Sequence, residues 1–180
     1  MKVPIRKCRY ERGYKMGKKD DKTNVLRILD SKKIAYEDFT YDRDKLSAGE
    51  VAESLGQAAS SVFKTLVTVG KSKEHYVFMI SGETELDLKK AAKAAKEKSL
   101  EMIHQKELLP LTGYIHGGCS PIGMKKQFKT FIDSSATTFD KICFSAGKVG
   151  HQVQLPLTSL AKVIKIELVE VTKTDPNLSE

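Results

Sequence analysis

Apolar and polar positions alternate along this chain in short blocks. The longest apolar block, Val62 to Val69, predicts a strand interrupted by one ammonium group at Lys64. Its valines, Phe63 and two threonines favour the pleated state. Gly70-Lys71-Ser72-Lys73 supplies a turn, and a second apolar run from His75 to Ile80 completes a hairpin. Side chains repeat at every second residue of a strand, so if Leu66 faces a core, Lys64 lies on the same face. A buried amine without a partner loses its charge or costs several kcal/mol, so Lys64 is expected to meet an anion, a bound ligand being one candidate. The alternatives are a solvated face, or a stem that snorkels past a sheet edge.

Upstream, Thr23 and Asn24 can cap a helix with the stripe Val25, Leu26, Ile28 and Leu29, ending near Lys33. Ile34 to Tyr41 predicts the first strand. Ser47-Ala48-Gly49-Glu50 matches a capping box, Val51, Ala52 and Leu55 give that helix an inner face, and Gly56 stops it. Downstream, Asp87 introduces a helix from Leu88 to Lys98, with Leu88, Ala91, Ala92 and Ala95 on one face and Lys89, Lys90, Lys93, Lys96 and Lys98 opposite. Such a lysine face is either solvated surface or a track for a polyanion. Leu100 to Ile103 predicts a short strand, and Gln105 to Leu109 a helical turn ended by Pro110. Thr130 to Asp133, Ile142 to Ser145 and Gln152 to Leu155 predict short strands, the last two joined by Gly147-Lys148-Val149-Gly150. Leu157 to Val163 predicts a helix and Ile164 to Val171 a closing strand. Strands outnumber helices and the helices are scattered among them, so the expected class is mixed α/β, or α+β, with a central mixed sheet flanked by helices.

Charge changes this picture at one end. In the first 15 residues Lys2, Arg6, Lys7, Arg9, Arg12 and Lys15 stand against Glu11, so five of the eight net positive charges lie there. That stretch has no apolar periodicity, and Met16 offers a second start. Residues 1–22 are therefore expected to be a basic extension, with a flexible arm touching RNA as its functional alternative. Residues 23–172 form the expected domain and 173–180 a polar tail. No run approaches a membrane span, and no apolar signal segment stands at the N-terminus. Three cysteines without CxxC spacing suggest neither a disulfide framework nor a zinc site, which fits a reducing cytoplasm.

The second conspicuous stretch runs from Thr112 to Gly123. It holds four glycines and Pro121, and lets backbone amides turn toward a ligand. It fits neither the Walker pattern nor GxGxxG. No GxSxG, no HExxH and no Cys/His pair at metal spacing is present, so no metal or cofactor is expected. Cys119 is a thiol inside the glycine loop with no nameable base, Cys143 lies in an apolar strand, and His116 is a candidate acid or base, although a lone histidine is more often structural.

Phe63-Lys64-Thr65-Leu66, Leu86-Asp87-Leu88-Lys89-Lys90, and Thr112-Gly113-Tyr114 running into Gly117-Gly118-Cys119-Ser120-Pro121-Ile122-Gly123 resemble the signature segments of the YbaK family. These are free-standing editing proteins similar to the insertion domain of bacterial prolyl-tRNA synthetase. The resemblance extends from about Thr23 to Val171 and implies that family's strongly curved sheet. It implies deacylation of mischarged tRNA, chiefly Cys-tRNA(Pro) with some Cys-tRNA(Cys), and a prolyl-tRNA synthetase as a possible partner in a ternary complex. Lys64 matches the family's essential lysine, expected to hold the phosphate or terminal-adenosine end of the acceptor strand. Gly117 and Pro121 match the GxxxP loop, whose amides, Gly118 included, would stabilise the oxyanion. Tyr41, Thr65, Ser120, Pro121, Ser145 and Gln152 are the implied substrate-binding residues. In this branch the substrate's own thiol is thought to attack its ester, giving a cyclic thioester, and no protein nucleophile is needed. Gln152 stands where many members carry an acid, so pairing with a substrate ammonium is in doubt here. The competing expectations are a deacylase that releases alanine or serine with water, and a non-catalytic tRNA-binding or synthetase-binding adaptor.

Overall fold

The computed structural model describes residues 22–41 and 48–174. The expected basic extension up to residue 21, the capping residue Ser47 and the tail beyond residue 174 lie outside the described residues. In chain order the elements are α1 (Asn24–Ser31), β1 (Glu37–Thr40), α2 (Ala48–Leu55), β2 (Phe63–Gly70), β3 (His75–Ser81), α3 (Leu88–Ala95) and β4 (Leu100–Met102). They continue with α4 (Gln105–Thr112), β5 (Lys129–Asp133), β6 (Ile142–Lys148), β7 (His151–Leu155), α5 (Leu157–Ala161) and β8 (Ile166–Val169). Local chemistry sets several of the boundaries. Thr23 caps α1 by accepting from the Leu26 amide, and the Asp87 carboxylate caps α3 by accepting from the Lys89 and Lys90 amides. Gly56 ends α2 at φ +63°, where a Cβ would be strained.

The expected mixed sheet is divided in two. One sheet has five strands in the order β4-β2-β3-β5-β8, with β3–β5 and β5–β8 parallel; the other has three antiparallel strands in the order β1-β7-β6. A single parallel bridge, Val62 to Cys143, joins them. The main core lies between the sheets: Val77 and Met79 from β3 and Ile132 from β5 meet Ile142, Phe144, Val153 and Leu155, with α1 residues Val25, Leu26 and Leu29. The alternate residues Phe78, Ile80 and Phe131 face the other way, into a second cluster under the alanines of α3. The Phe78 and Phe131 rings stack at 5.0 Å. The outer face of the smaller sheet forms a third cluster, in which Phe39, Tyr41, Val62 and Cys143 pack under Val51, Ala52 and Leu55 of α2. The layers are therefore α3, five-stranded sheet, core, three-stranded sheet, α2.

Three expectations are corrected. Pro110 does not end α4, which continues to Thr112 and stops at Gly113 with φ +85°. The proline deprives only the carbonyl of Lys106, an exposed residue, of its helical partner, and water can supply that bond. Leu88 is 38 % exposed rather than inside, and Leu86 closes that end of the cluster. Lys90 is not on the solvated face of α3: its ammonium donates to Glu170 at 2.7 Å and to the Thr172 carbonyl at 3.0 Å. Among the described residues no helix is long and apolar enough to cross a membrane.

Candidate active site

β2 and Val62, the residue that leads into it, together touch all three clusters, and this sets the position of Lys64. Phe63 and Val67 enter the main core, Val62 belongs to the cluster under α2, and Leu66 packs against the cluster under α3. Lys64 lies between Val62 and Leu66 on that same outward face, so the alternation argument holds: it is half-buried in the seam between two apolar clusters. Its ammonium donates to the Thr84 carbonyl at 2.7 Å. Among the described residues it has no ion-pair partner. Burial pulls its pKa below the ordinary 10.5, and attraction from the Glu85 carboxylate only partly offsets this. The expected anion is thus replaced by a neutral carbonyl, and the remaining donor capacity of the ammonium meets no described acceptor.

From Lys64 a row of polar side chains crosses the outer face of the smaller sheet. The Val62–Cys143 bridge is parallel, so two residues further along stand Lys64 on β2 and Ser145 on β6, facing the same way. Ser145 pairs with Gln152 on β7, Gln152 pairs with Phe39 on β1, and Tyr41 follows Phe39 by two. The Tyr41 amide continues this pairing onto the Gly150 carbonyl at 2.9 Å. Tyr41, Ser145 and Gln152 are all buried. Gln152 accepts from the Cys143 thiol at 3.8 Å, and Ser145 Oγ accepts from the Gly147 amide at 3.2 Å. Four of the expected site residues, Lys64, Ser145, Gln152 and Tyr41, are thereby brought onto one surface. Thr65 points the other way, toward the main core, and its hydroxyl is buried with no hydrogen-bond partner among the described residues.

The glycine loop packs on the tip of the same sheet. A Cβ on Gly118 would lie 3.0 Å from the Val149 amide nitrogen, so only glycine lets the loop approach the β6–β7 turn this closely. Gly117 is exposed with φ +81°. No described residue accepts a hydrogen bond from the amides of Gly117, Cys119 or Ser120, whereas the Gly118 amide returns to the Ile115 carbonyl at 3.0 Å. Tyr114 ties the loop together: its hydroxyl donates to the Ile122 carbonyl at 2.5 Å and its ring packs against Gly147. The loop therefore sits on the β6–β7 hairpin tip at Gly147, Lys148 and Val149, next in sequence to Ser145 and Gly150, and among the described residues no hydrogen bond links it to Lys64. Ser120 and Pro121 are buried, and the Ser120 hydroxyl accepts from the Ile122 amide at 3.4 Å.

Neither buried thiol is a ready nucleophile. Burial pushes both Cys119 and Cys143 up to about 12. His116 is exposed on the loop. Among the described residues no group of three His, Cys, Asp or Glu side chains is placed to hold a metal ion. Two contributors escaped the sequence reasoning. Thr84 acts through its carbonyl, which no side-chain pattern reveals. Tyr114 stands within one of the family-like segments, but its role depends on packing against Gly147, 33 residues away in the sequence.

Comparison with known proteins supplies the frame for this geometry. The chain is 46 % identical over 157 residues, covering 86 % of this chain and 96 % of its relative, to an Enterococcus faecalis protein provisionally named Cys-tRNA(Pro)/Cys-tRNA(Cys) deacylase EbsC. It is 29 % identical over 102 residues to a proline–tRNA ligase of Shouchella clausii, covering 57 % of this chain and 18 % of the ligase. A crystal structure provisionally described as a trans-editing enzyme for prolyl-tRNA synthetase superposes with a TM-score of 0.76 at 20 % identity, covering 84 % of this chain and 99 % of that one, and shares the fold. The aminoacyl-tRNA editing domain family matches residues 42–163, and with those matched residues spanning both the Lys64 strand and the glycine loop, this chain belongs to that family.

Proposed function

We propose that this protein is a trans-acting deacylase that clears cysteine from mischarged tRNA(Pro), and from tRNA(Cys) to a lesser degree, in the cytoplasm. The observation that carries the reading is Lys64: a half-buried ammonium, held by one neutral carbonyl and lacking a described counter-ion, at the end of a row of buried polar side chains. A group so placed gains a partner when an anion enters, and the 3′ end of a tRNA is one. In this reading Lys64 holds the phosphate or terminal-adenosine end, and Ser145, Gln152 and Tyr41 line the path of the aminoacyl group, while Thr65, turned to the opposite face of β2, lies off that path. Gly117 and Gly118 present the loop whose free amides stabilise the oxyanion, with Ser120 and Pro121 as the loop's buried footing.

The state of the thiols supports a substrate-assisted step. With Cys119 and Cys143 both near 12, neither thiol among the described residues competes, and in this reading the reactive sulfur is the substrate's own, whose ordinary pKa of about 8.5 leaves a few per cent thiolate at neutral pH. The thiolate attacks the ester carbonyl, a C–S bond forms, the C–O bond to the ribose breaks, and the released alkoxide takes up the proton. The products are a cyclic thioester and free tRNA. Holding thiol and ester in one geometry is worth an effective molarity of roughly 10⁵ M or more, and a single oxyanion donor about 10²–10³ in rate. Neutral Gln152 adds a hydrogen bond but no charge for the substrate ammonium, so recognition of the amine is weak. A prolyl-tRNA synthetase presenting the tRNA fits this modest grip.

The test is single-turnover deacylation of Cys-, Ala- and Ser-tRNA(Pro), with the released product identified. The expected result is rapid loss of cysteine as the cyclic thioester, with alanine and serine largely retained. Release of alanine with cysteine spared would reassign the protein to water-dependent editing. Salt-dependent tRNA binding with every ester intact would make it an adaptor.

A further inference from the structure

The proposed site accounts for Lys64 but leaves the lysines of α3 unused. α3 begins four residues after Thr84, whose carbonyl holds the Lys64 ammonium. β3 returns antiparallel to β2, and α3 reverses again, so it runs from the site end of the hairpin toward the β2–β3 turn. At that far end Ser72 and Tyr76 hydrogen-bond Glu97, and the Lys71 amide donates to the Ser99 carbonyl. An eight-residue helix spans about 12 Å. Along it Lys89, Lys93 and Lys96 recur at i, i+4 and i+7, all exposed, while Lys90 turns aside to Glu170. Lys98, Lys71 and Lys73 are exposed where the stripe ends. Among the described residues none of these six lysines has an ion-pair partner, in contrast to Lys22, Lys90, Lys129, Lys141 and Lys173. Glu74, Glu97 and Glu101 stand among the lysines at the far end; at the site end Glu85 is taken by Lys173, and Asp87, which caps the helix, attracts Lys89, so the face along the helix itself carries only lysines. Like charges at i, i+4 destabilise a helix, and a bound polyanion removes that penalty.

Resting on the reading above, we infer that the Lys89, Lys93 and Lys96 stripe is the docking track for the sugar–phosphate backbone of the tRNA acceptor stem, the duplex adjoining the 3′ end held at Lys64. The interaction is with phosphate, so it sets affinity and register without reading sequence. It also explains how a domain whose remaining surface is nearly balanced in charge directs one end of a long polyanion into a narrow seam.

The experiment uses the full chain with Lys89→Gln, Lys93→Gln and Lys96→Gln combined. A control carries Lys32→Gln, Lys33→Gln and Lys162→Gln, three exposed lysines at the ends of α1 and α5, which pack on the other side of the five-stranded sheet. Binding of uncharged tRNA is measured across a salt series. Every lysine–phosphate pairing removed lowers the slope of log K against log salt by about 0.7–0.9, so the triple variant is expected to show a slope smaller by about 2–3 and, at about 0.1 M salt, affinity roughly 100-fold weaker. The control keeps the wild-type slope. The loss is confined to substrates that carry the stem: a short aminoacylated 3′ oligonucleotide is turned over equally by wild type and the α3 variant. Wild-type slope and affinity in the α3 variant overturn the track, even where deacylation stands. Loss that shows only when a synthetase is added assigns the stripe to a protein partner and also overturns it. Should the ester-cleaving activity itself be absent, the binding series still decides the track.

Discussion

The two sheets carry their outer helices over very different surfaces. Under α3 the larger sheet offers Phe78, Ile80 and Phe131, a largely apolar face that buries all three side chains. Under α2 the smaller sheet begins the same way, with Phe39 and Cys143 beside the bridging Val62, then turns polar at Ser145, Gln152 and Gln154. Both faces are buried, but on the first the buried polar side chains Thr68 and Asp133 bond backbone groups of the scaffold, whereas on the second Ser145 and Gln152 are paired side by side in a row that leads to Lys64, and burying such groups costs stability unless each finds a partner. The contrast separates scaffold from site. α3 is held by hydrophobic packing and is free to display lysines outward, whereas α2 roofs a polar row that ends in a cation.

The largest effect is expected on the scaffold side. Phe131→Ala removes a fully buried ring stacked on Phe78 and is expected to lower unfolding stability by about 3–5 kcal/mol, read by denaturant titration. The fraction that remains folded should keep its turnover number, because no site residue touches that ring. Gly118→Ala acts in the opposite sense. Its Cβ meets the Val149 backbone at 3.0 Å, so the loop must move off the hairpin tip by a few tenths of an ångström or more. The expected result is a loss of kcat of roughly 10–100-fold, with a stability change of only about 1–3 kcal/mol.

A finer probe is pH. Burial lowers the Lys64 pKa, and the cationic form is the one that grips phosphate. Turnover should therefore rise as the substrate thiol ionises and fall as pH climbs through the Lys64 pKa, below the ordinary lysine value. Gln152→Glu places a carboxylate two strand spacings from Lys64, about 10 Å. An opposite charge favours the ammonium, so the falling limb should move to higher pH by up to about one unit. A limb that stays in place would detach Lys64 from the polar row.

Much of this was legible in the chain itself. The β2–β3 hairpin, the Thr23 and Asp87 caps and, Lys90 apart, the lysine face of α3 follow from neighbours within a few residues, where propensity and periodicity act. The division into two sheets was not, because Val62 and Cys143 meet across about 80 residues and nothing in either segment names the other. Pro110 misled for a related reason: the local rule is sound, but the carbonyl it frees belongs to a residue exposed to water. At the site, the position of Lys64 followed from strand alternation. Its neutral partner did not, since Thr84 contributes only backbone. The family resemblance named Tyr41, Ser145 and Gln152, and pairing across β6, β7 and β1 puts all three on one face.

The central claim is that Lys64 is kept in its seam for substrate and not for stability. Single-turnover deacylation of Cys-tRNA(Pro) by Lys64→Ala and Lys64→Met, measured beside their thermal unfolding, tests it most directly. The account predicts a rate loss of roughly 10²–10³ in both variants, with Lys64→Met folded at least as stably as wild type because a desolvated charge has been replaced by an apolar side chain. Wild-type turnover by either folded variant would contradict it.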